Sequence, residues 1–465
     1  MVEHPIEVVH YSLELDLVQS PVAAVMPDAP GRIRCACAMT VRAVGSEAVP
    51  SACFTLYRLL RVSAASEGAD IPVVFRQTLR EVDGTPDLHV RAVEVVFASP
   101  IAPGQQRTLR LLYEGPLVGY REAMAYVHDS VQRDVALLRP EVLWYPVPGG
   151  ASGDIVRRAY RTPAFDAVVR LPEGWWVAMA GARRESDATD APRFRGEDGY
   201  GDGLFLVAGR YGERSGDAAV TVHHLPGHSS WADTVVEAAA FTASTLTEWL
   251  GPRASRRDPL VLVEIPAHWG SQVARGFILQ IRCDDPRSVF ANVSHEVSHH
   301  WTPGADRNRF CDEGVAHYLQ ALVEGVRYGD GARWERLRGH RERFLQRPDA
   351  AQIPLARAAE YPAQIETVSR HRGPLALAVL HACLGDTGFR DWMRSWIGSE
   401  SARSGGTVAH FCQYLRAWEL CRRGGFDVDR YVREWFEVAG PLALEGGADR
   451  PITEAVSACA ARYQP

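Results

Sequence analysis

Hydrophobic periodicity changes once along this 465-residue chain, and the change bounds what it can fold into. Over the first two hundred or so residues, apolar and polar side chains alternate. Tyr11, Leu13, Leu15 and Leu17 alternate with Ser12, Glu14 and Asp16; Leu109, Leu111 and Tyr113, and then Phe165, Ala167, Val169 and Leu171, repeat the pattern. Period two gives each strand one apolar face, and the Pro, Gly and Asp clusters between runs read as turns of an antiparallel β domain. The polar stretch from Arg183 to Gly203 reads as a surface loop.

Past residues 210–217 the spacing becomes three and four. Asp233 is a candidate N-cap, followed by Val236, Ala239, Ala243, Leu246 and Leu250, and Gly251-Pro252 ends the run. Strands are expected over Leu260–Ile265 and Phe277–Ile281. Asp285 as N-cap with Pro286 at the first helical position starts a helix that runs to about Trp301, where Thr302-Pro303-Gly304 stops it. From Glu313 onward the pattern is mostly helical. The expected class is α+β: an antiparallel β domain over residues 1–214 and a mainly helical domain over 215–465.

Composition removes several reaction classes. All 51 basic residues are arginine. A chain without lysine forms no lysine Schiff base and has no P-loop or kinase-type lysine. Against 57 acidic residues the net charge is −6, which gives no footing for nucleic-acid binding. The nine scattered cysteines form no CxxC pair and read as reduced thiols. Met1-Val2-Glu3-His4-Pro5 has neither a basic nor an apolar export region, and no apolar run is long enough to cross a bilayer. The expectation is a soluble, cytoplasmic protein with no membrane and no nucleic-acid partner.

The chemistry concentrates in the helix opened by Asp285. It contains His295-Glu296-Val297-Ser298-His299. Histidines four apart on a helix lie about 40° apart around its axis, so both imidazoles reach one ion. Glu296 stands beside the first, where it can hold a metal-bound water; this is the HExxH zinc signature with the Glu as general base. A second segment, Asp312-Glu313-Gly314-Val315-Ala316-His317-Tyr318, supplies Glu313 as a third ligand. Two His and one Glu leave a fourth position open for water, the composition of catalytic rather than structural zinc.

These two segments resemble the signature of the gluzincin aminopeptidases, which include aminopeptidase N and the leukotriene-hydrolase enzymes: HEVSHHW from His295 to Trp301, then DEGVAHY from Asp312 to Tyr318. The resemblance implies a Zn²⁺ cofactor held by His295, His299 and Glu313, with Glu296 as base. It implies a saddle-shaped β domain, whose early strand resembles Tyr11 to Leu17, and then a thermolysin-like catalytic domain. The segment WFEVAGPL from Trp435 to Leu442 resembles the end of that domain, so the family's large C-terminal helical domain is expected to be missing.

Three departures matter. Thirteen residues separate His299 from Glu313, fewer than is usual in that family, which implies a shortened loop. The family's GxMEN strand, whose Glu binds the substrate's free amine, has its counterpart in Gly276-Phe277-Ile278-Leu279-Gln280; Leu279 stands at the Glu position and cannot pair with an ammonium. Gly276, Phe277, Leu279 and Gln280 remain candidates for substrate binding, because an edge strand there would hold an extended substrate by backbone hydrogen bonds. Finally, the family's oxyanion-stabilising Tyr in Y-x-K-G has its counterpart in Arg370-His371-Arg372-Gly373. Arg370 or His371 is then the candidate donor, with Tyr361 a third, since each presents an N–H or O–H group.

Around this core, Asp312 and His317 are candidate supports for the ligands, as is His300. Glu141 is a candidate for substrate contact. His223, His224 and His228 cluster, but adjacent histidines on a strand face opposite ways; Trp175-Trp176 reads as packing. The reading is a zinc-dependent hydrolase acting on a peptide or small-molecule amide. Two alternatives stand beside it: a repurposed zinc enzyme that opens epoxides or acts as a Lewis acid on a small molecule, and a non-catalytic zinc-stabilised binding protein.

Overall fold

The computed structural model describes residues 5–68, 71–186, 190–197, 199–200, 203–216, 219–252, 260–303, 308–361, 363–399, 402, 406–418, 426–439 and 450–464. Gly304 of the expected helix stop, residues 440–442 of the WFEVAGPL segment and Cys421 lie outside them. The chain divides into two compact units: residues 1–214 with 221–232 and 260–282, and residues 215–220 with 233–259 and 283–465. The architecture is mixed α+β, with β sheets first and helices after.

In the first unit the alternating runs become strands. An eight-stranded sheet has the order Ala182–Arg184, Arg193–Gly196, Ala164–Arg170, Ile6–Val18, Arg32–Ala43, Gln106–Pro116, Arg61–Glu67, Ile71–Pro72. Its pairs are antiparallel except for Ile6–Val18 beside Ala164–Arg170. Tyr11, Leu13, Leu15 and Leu17 are buried, and each has an apolar partner across the pair, such as Leu13 opposite Cys37. They share one core with Phe54, Leu56, Val90 and Val93 of a four-stranded sheet, Val147–Pro148, Val49–Tyr57, Thr85–Ile101, Val74–Val82. Burying one face of each strand drives this arrangement and makes the register specific. The stretch expected as a loop from Arg183 contains strands Ala182–Arg184 and Arg193–Gly196. There Phe194 is buried between exposed arginines, a period-two pattern too short to stand out from the surrounding polar residues.

A five-stranded sheet has the order Gly212–Gly216, Val220–His224, Leu260–Ile265, Phe277–Ile281, Gln272–Ala274. This corrects one expectation. Phe277–Ile281 is not an edge strand: it pairs parallel with Leu260–Ile265 on one side and antiparallel with Gln272–Ala274 on the other. The chain reverses at Gly276, whose φ of 104° suits glycine, and the preceding residues fold back to cover the edge.

The helix expected from Asp233 begins four residues earlier, spanning Ser229–Leu250. The second unit continues with helices Pro286–Ser298, Val315–Tyr328, Asp330–Leu345, Gly373–Ile397, Val408–Ala417 and Ile452–Ala461. Its core is aromatic: Trp392 and Trp396 stack at 5.6 Å, and Phe411 meets both edge-on together with Phe310. Trp301 is fully buried and donates its indole N–H to the Gly251 carbonyl at 2.9 Å, pinning the end of the motif-bearing helix.

Two π turns, Phe310–Gly314 and Val368–Arg372, lead into the helices Val315–Tyr328 and Gly373–Ile397. Such turns are rare and concentrate at functional sites. They meet at a pair of glycines. A Cβ on Gly314 would lie 2.9 Å from Phe310 Cδ2 and 3.1 Å from the Ser369 carbonyl oxygen; one on Gly373 would lie 3.0 Å from Gly314 Cα. Only glycines let the two backbones approach this closely. Ser369 Oγ also donates to the Asn308 carbonyl, fastening one turn to the segment before the other.

Candidate metal centre

The helix Pro286–Ser298 is fixed at its start by Asp285, whose carboxylate accepts the Ser288 backbone N–H at 2.8 Å. Its buried stripe of Val289, Phe290, Val293 and Val297 sets its rotation. His295 and Glu296 lie in its last turn, and His299 opens the 3₁₀ turn His299–Trp301 that follows. The imidazole Nε2 atoms of His295 and His299 are 3.4 Å apart. Donors bound tetrahedrally to zinc at its usual bond lengths lie roughly 3.3 Å apart. Glu313, delivered by the first π turn, puts Oε2 3.6 Å from His295 Nε2.

These residues fit a divalent cation. Glu313 Oε2 is buried and has no hydrogen-bond partner, although it faces imidazole nitrogens. A buried carboxylate oxygen left unpaired is costly unless something positive meets it. The nitrogen donors suit zinc, and the His₂Glu set is that of a catalytic site.

Asp312 orients one ligand candidate. Its Oδ1 lies 2.6 Å from His299 Nδ1, so that nitrogen carries a proton and Nε2 is the atom turned toward His295 and available to a metal. Burial lowers the His299 pKa, but the Asp312 charge and hydrogen bond overcome it and lift it to about 9 in the metal-free protein. Burial opposes ionisation of Glu313 too, yet the neighbouring His295 and the charges of His299 and Arg370 hold it well below the ordinary carboxylate range. Glu296 goes the other way: burial, with Glu313 adding repulsion, lifts it above that range. Two carboxylates pushed in opposite directions are the usual mark of divided roles, one a ligand and one a proton carrier.

The other oxygen of Glu313 is held by arginines. Oε1 accepts from Arg309 at 2.5 Å and from Arg370 at 3.3 Å. Glu366 bridges both, 2.8 Å from Arg309 and 2.6 Å from Arg370. Arg309 has φ 56°, a left-handed conformation uncommon for a non-glycine residue. The Arg370 side chain, although paired with both carboxylates, is 44% exposed. His371, the other donor candidate, turns instead to His340, Nδ1 to Nδ1 at 3.0 Å. Tyr361 lies exposed ahead of the second π turn.

His317 sits against the site. Its ring stacks on His295 at 4.1 Å and its Nε2 is 3.7 Å from Glu313 Oε2. Burial, with His295 and His340 nearby, pushes its pKa well below the ordinary value. His317, His340 and His371 form a chain of rings 4.9 Å and 5.3 Å apart. Among the described residues, the cluster of metal-capable groups whose donor atoms all lie within 4.8 Å of one another is His295, Glu313 and His317.

Apart from His300, in the 3₁₀ turn after the first motif, the remaining candidates lie in the first unit. Phe277 and Leu279 are buried in an apolar cluster with Val263, Ile265 and Trp269. Gln280 is fully buried, its amide donating to the Ile281 carbonyl at 3.1 Å. Glu141 is buried with Oε2 lacking a hydrogen-bond partner. His223 stacks on Trp176 at 3.9 Å, while His228 bonds Glu264 at 2.6 Å and Arg282 at 2.8 Å.

No family model matches the sequence, and no curated protein matches it. Solved structures do. An M1 zinc metallopeptidase from Deinococcus radiodurans is 18% identical with a TM-score of 0.58, over 95% of this chain and 97% of that one. A Glu-to-Ala mutant from the same organism, bound to a Tyr-Ser-Ala substrate, is 17% identical with a TM-score of 0.59, over 94% and 95%. A two-domain M1 mutant bound to L-arginine is 18% identical with a TM-score of 0.60, over 96% of each chain. The fold is that of the two-domain M1 zinc metallopeptidases. It is thus the fold that the HEVSHHW and DEGVAHY segments implied, reached at 17–18% sequence identity.

Sequence reasoning missed Arg309, Glu366, Gln320 and His340. Arg309 precedes Glu313 by four residues and Glu366 precedes Arg370 by four, a spacing that pairs opposite charges on one helical face. His340 carries no local signal; its neighbours in the chain, Gly339 and Arg341, say nothing of the histidines it meets.

Proposed function

We propose that this protein is a zinc-dependent hydrolase of peptide or amide bonds, with residues 215–465 as its catalytic domain. The observation that carries the reading is the placement of His295 Nε2, 3.4 Å from His299 Nε2 and 3.6 Å from Glu313 Oε2, beside a buried Glu296. His295, His299 and Glu313 would hold the ion, which when bound supplies Lewis acidity to activate water and polarise a carbonyl. Glu296, its affinity for a proton raised by burial, accepts the proton from the attacking water and delivers it to the leaving nitrogen. Arg370 is the favoured oxyanion donor, because its guanidinium is fixed beside Glu313 while His371 is engaged with His340.

The substrate is a specialised peptide or a small-molecule amide. The position of the family's amine-binding Glu holds Leu279, an apolar side chain with 0% exposure, so selection of free amino termini has no charged anchor there. The same observation favours the second reading, a small-molecule substrate opened by the metal's Lewis acidity, as in epoxide hydrolysis. The test is to measure bound zinc and then compare wild type with Glu296→Gln on aminoacyl, internal-peptide, amide and epoxide panels. Near-stoichiometric zinc and amide hydrolysis lost on Glu296→Gln are expected, a fall of at least about 10²-fold. Absence of zinc from freshly purified protein overturns the catalytic readings, and full activity in Glu296→Gln removes the general-base role.

A further inference from the structure

His317 shares with His299 an arrangement that a merely neighbouring histidine has no reason to adopt. His299 has its Nδ1 proton pinned by Asp312, which leaves Nε2 as the atom that faces His295. His317 has its Nδ1 3.1 Å from Gln320 Oε1. The orientation of that amide is settled by its other end: Gln320 Nε2 donates to the Ala291 carbonyl at 2.9 Å and faces Glu324 Oε1 at 3.4 Å. Gln320 Oε1 is therefore an acceptor, His317 Nδ1 is the donor, and the His317 Nε2 lone pair points with no proton of its own toward Glu313 Oε2, 3.7 Å away. Two acceptors facing each other in a buried space repel unless a cation lies between them. The partner of each imidazole's second nitrogen also has the character found around metal-ligating histidines, a carboxylate for His299 and a fixed amide oxygen for His317.

From this geometry we infer that His317 is a further protein ligand of the metal, beside His299 and beside His295 and Glu313, whose donor atoms lie within 4.8 Å of its own and of each other. The helical spacing permits it: Glu313 and His317 are four residues apart, so both project from one side of the turn that opens Val315–Tyr328. The inference rests on the zinc reading above and adds to it.

The test counts imidazoles rather than turnover. X-ray absorption at the zinc edge of the zinc-loaded wild-type protein is expected to show three imidazole ligands, and the His317→Ala variant two. Chelator competition is expected to show at least about a 10-fold loss of zinc affinity in His317→Ala. Zinc bound by two imidazoles in the wild type overturns this inference and leaves the hydrolase reading standing; a wild-type protein that binds no zinc overturns both. Because the decisive spectrum is that of the wild type, the result does not depend on the variant folding.

Discussion

His299 Nδ1 and Asp312 Oδ1 lie 2.6 Å apart, joining the last turn of one motif to the residue before the ligand Glu of the other. That contact selects the tautomer in which Nε2 is free to bind a metal. Asp312→Ala is therefore expected to lower zinc affinity by about 10–100-fold with every ligand side chain intact. Chelator competition measures it, and an unchanged affinity would remove Asp312 from the site.

The glycine pair gives a second prediction. In Gly314→Ala the new methyl meets the Phe310 ring and the Ser369 carbonyl at separations that make the ring or the turn shift. Overpacking of this kind typically costs 1–3 kcal/mol, about the range expected here. Because the displaced turn carries Glu313, zinc affinity should fall together with denaturant stability. A variant with wild-type stability and affinity would show that the close approach is dispensable.

Arg309 and Arg370 share Glu313 Oε1, but they should not be equivalent. Arg309→Ala removes the shorter contact, 2.5 Å against 3.3 Å, and is expected to act mainly on zinc affinity. Arg370→Ala is expected to lower kcat by about 10²–10³-fold with most of the zinc retained, the loss typical of an oxyanion donor. Zinc titration and steady-state kinetics on both variants separate the roles. Equal loss of zinc in the two would make Arg370 a holder of Glu313 and nothing more.

Stability should fall in mild acid for a reason unrelated to the metal. Burial against Trp176 lowers the His223 pKa from 6.5 to about 4. Between those values the unfolded chain binds a proton that the folded chain refuses, so the contribution is complete above the unfolded pKa and is lost as pH falls toward 4. At about 1.4 kcal/mol per pKa unit, the loss is on the order of 2–3 kcal/mol. Denaturant unfolding at pH 7 and pH 4.5 should show it, and His223→Asn should flatten the pH dependence; an equally steep slope in the variant would place the acid sensitivity elsewhere.

Much of this was legible in the sequence because it is local. Alternation at Tyr11 to Leu17 prescribes a strand with one buried face whatever lies beside it. Asp285-Pro286 prescribes a helix start, and four-residue spacing brings His295 and His299 within reach of one ion. Each rests on the geometry of a single element, which the chain carries with it. The error over Phe277–Ile281 has the opposite origin. Its strand character is local, but whether it forms an edge depends on where Gln272–Ala274 goes after the reversal at Gly276, and no periodicity records that.

What the tertiary structure alone decided is which distant groups meet. The sequence offers Gly314 and Gly373 as two unremarkable glycines, 59 positions apart by their numbers. Folded, they let two π turns touch and so bring Arg370 to Glu313. His317 reads from the sequence as a bystander beside a ligand; its proton is placed by Gln320, which is itself placed by Ala291 on another helix. Ligand identity and helix spacing follow from the chain. The direction of a lone pair follows from hydrogen bonds between elements, and those exist only once the elements have packed.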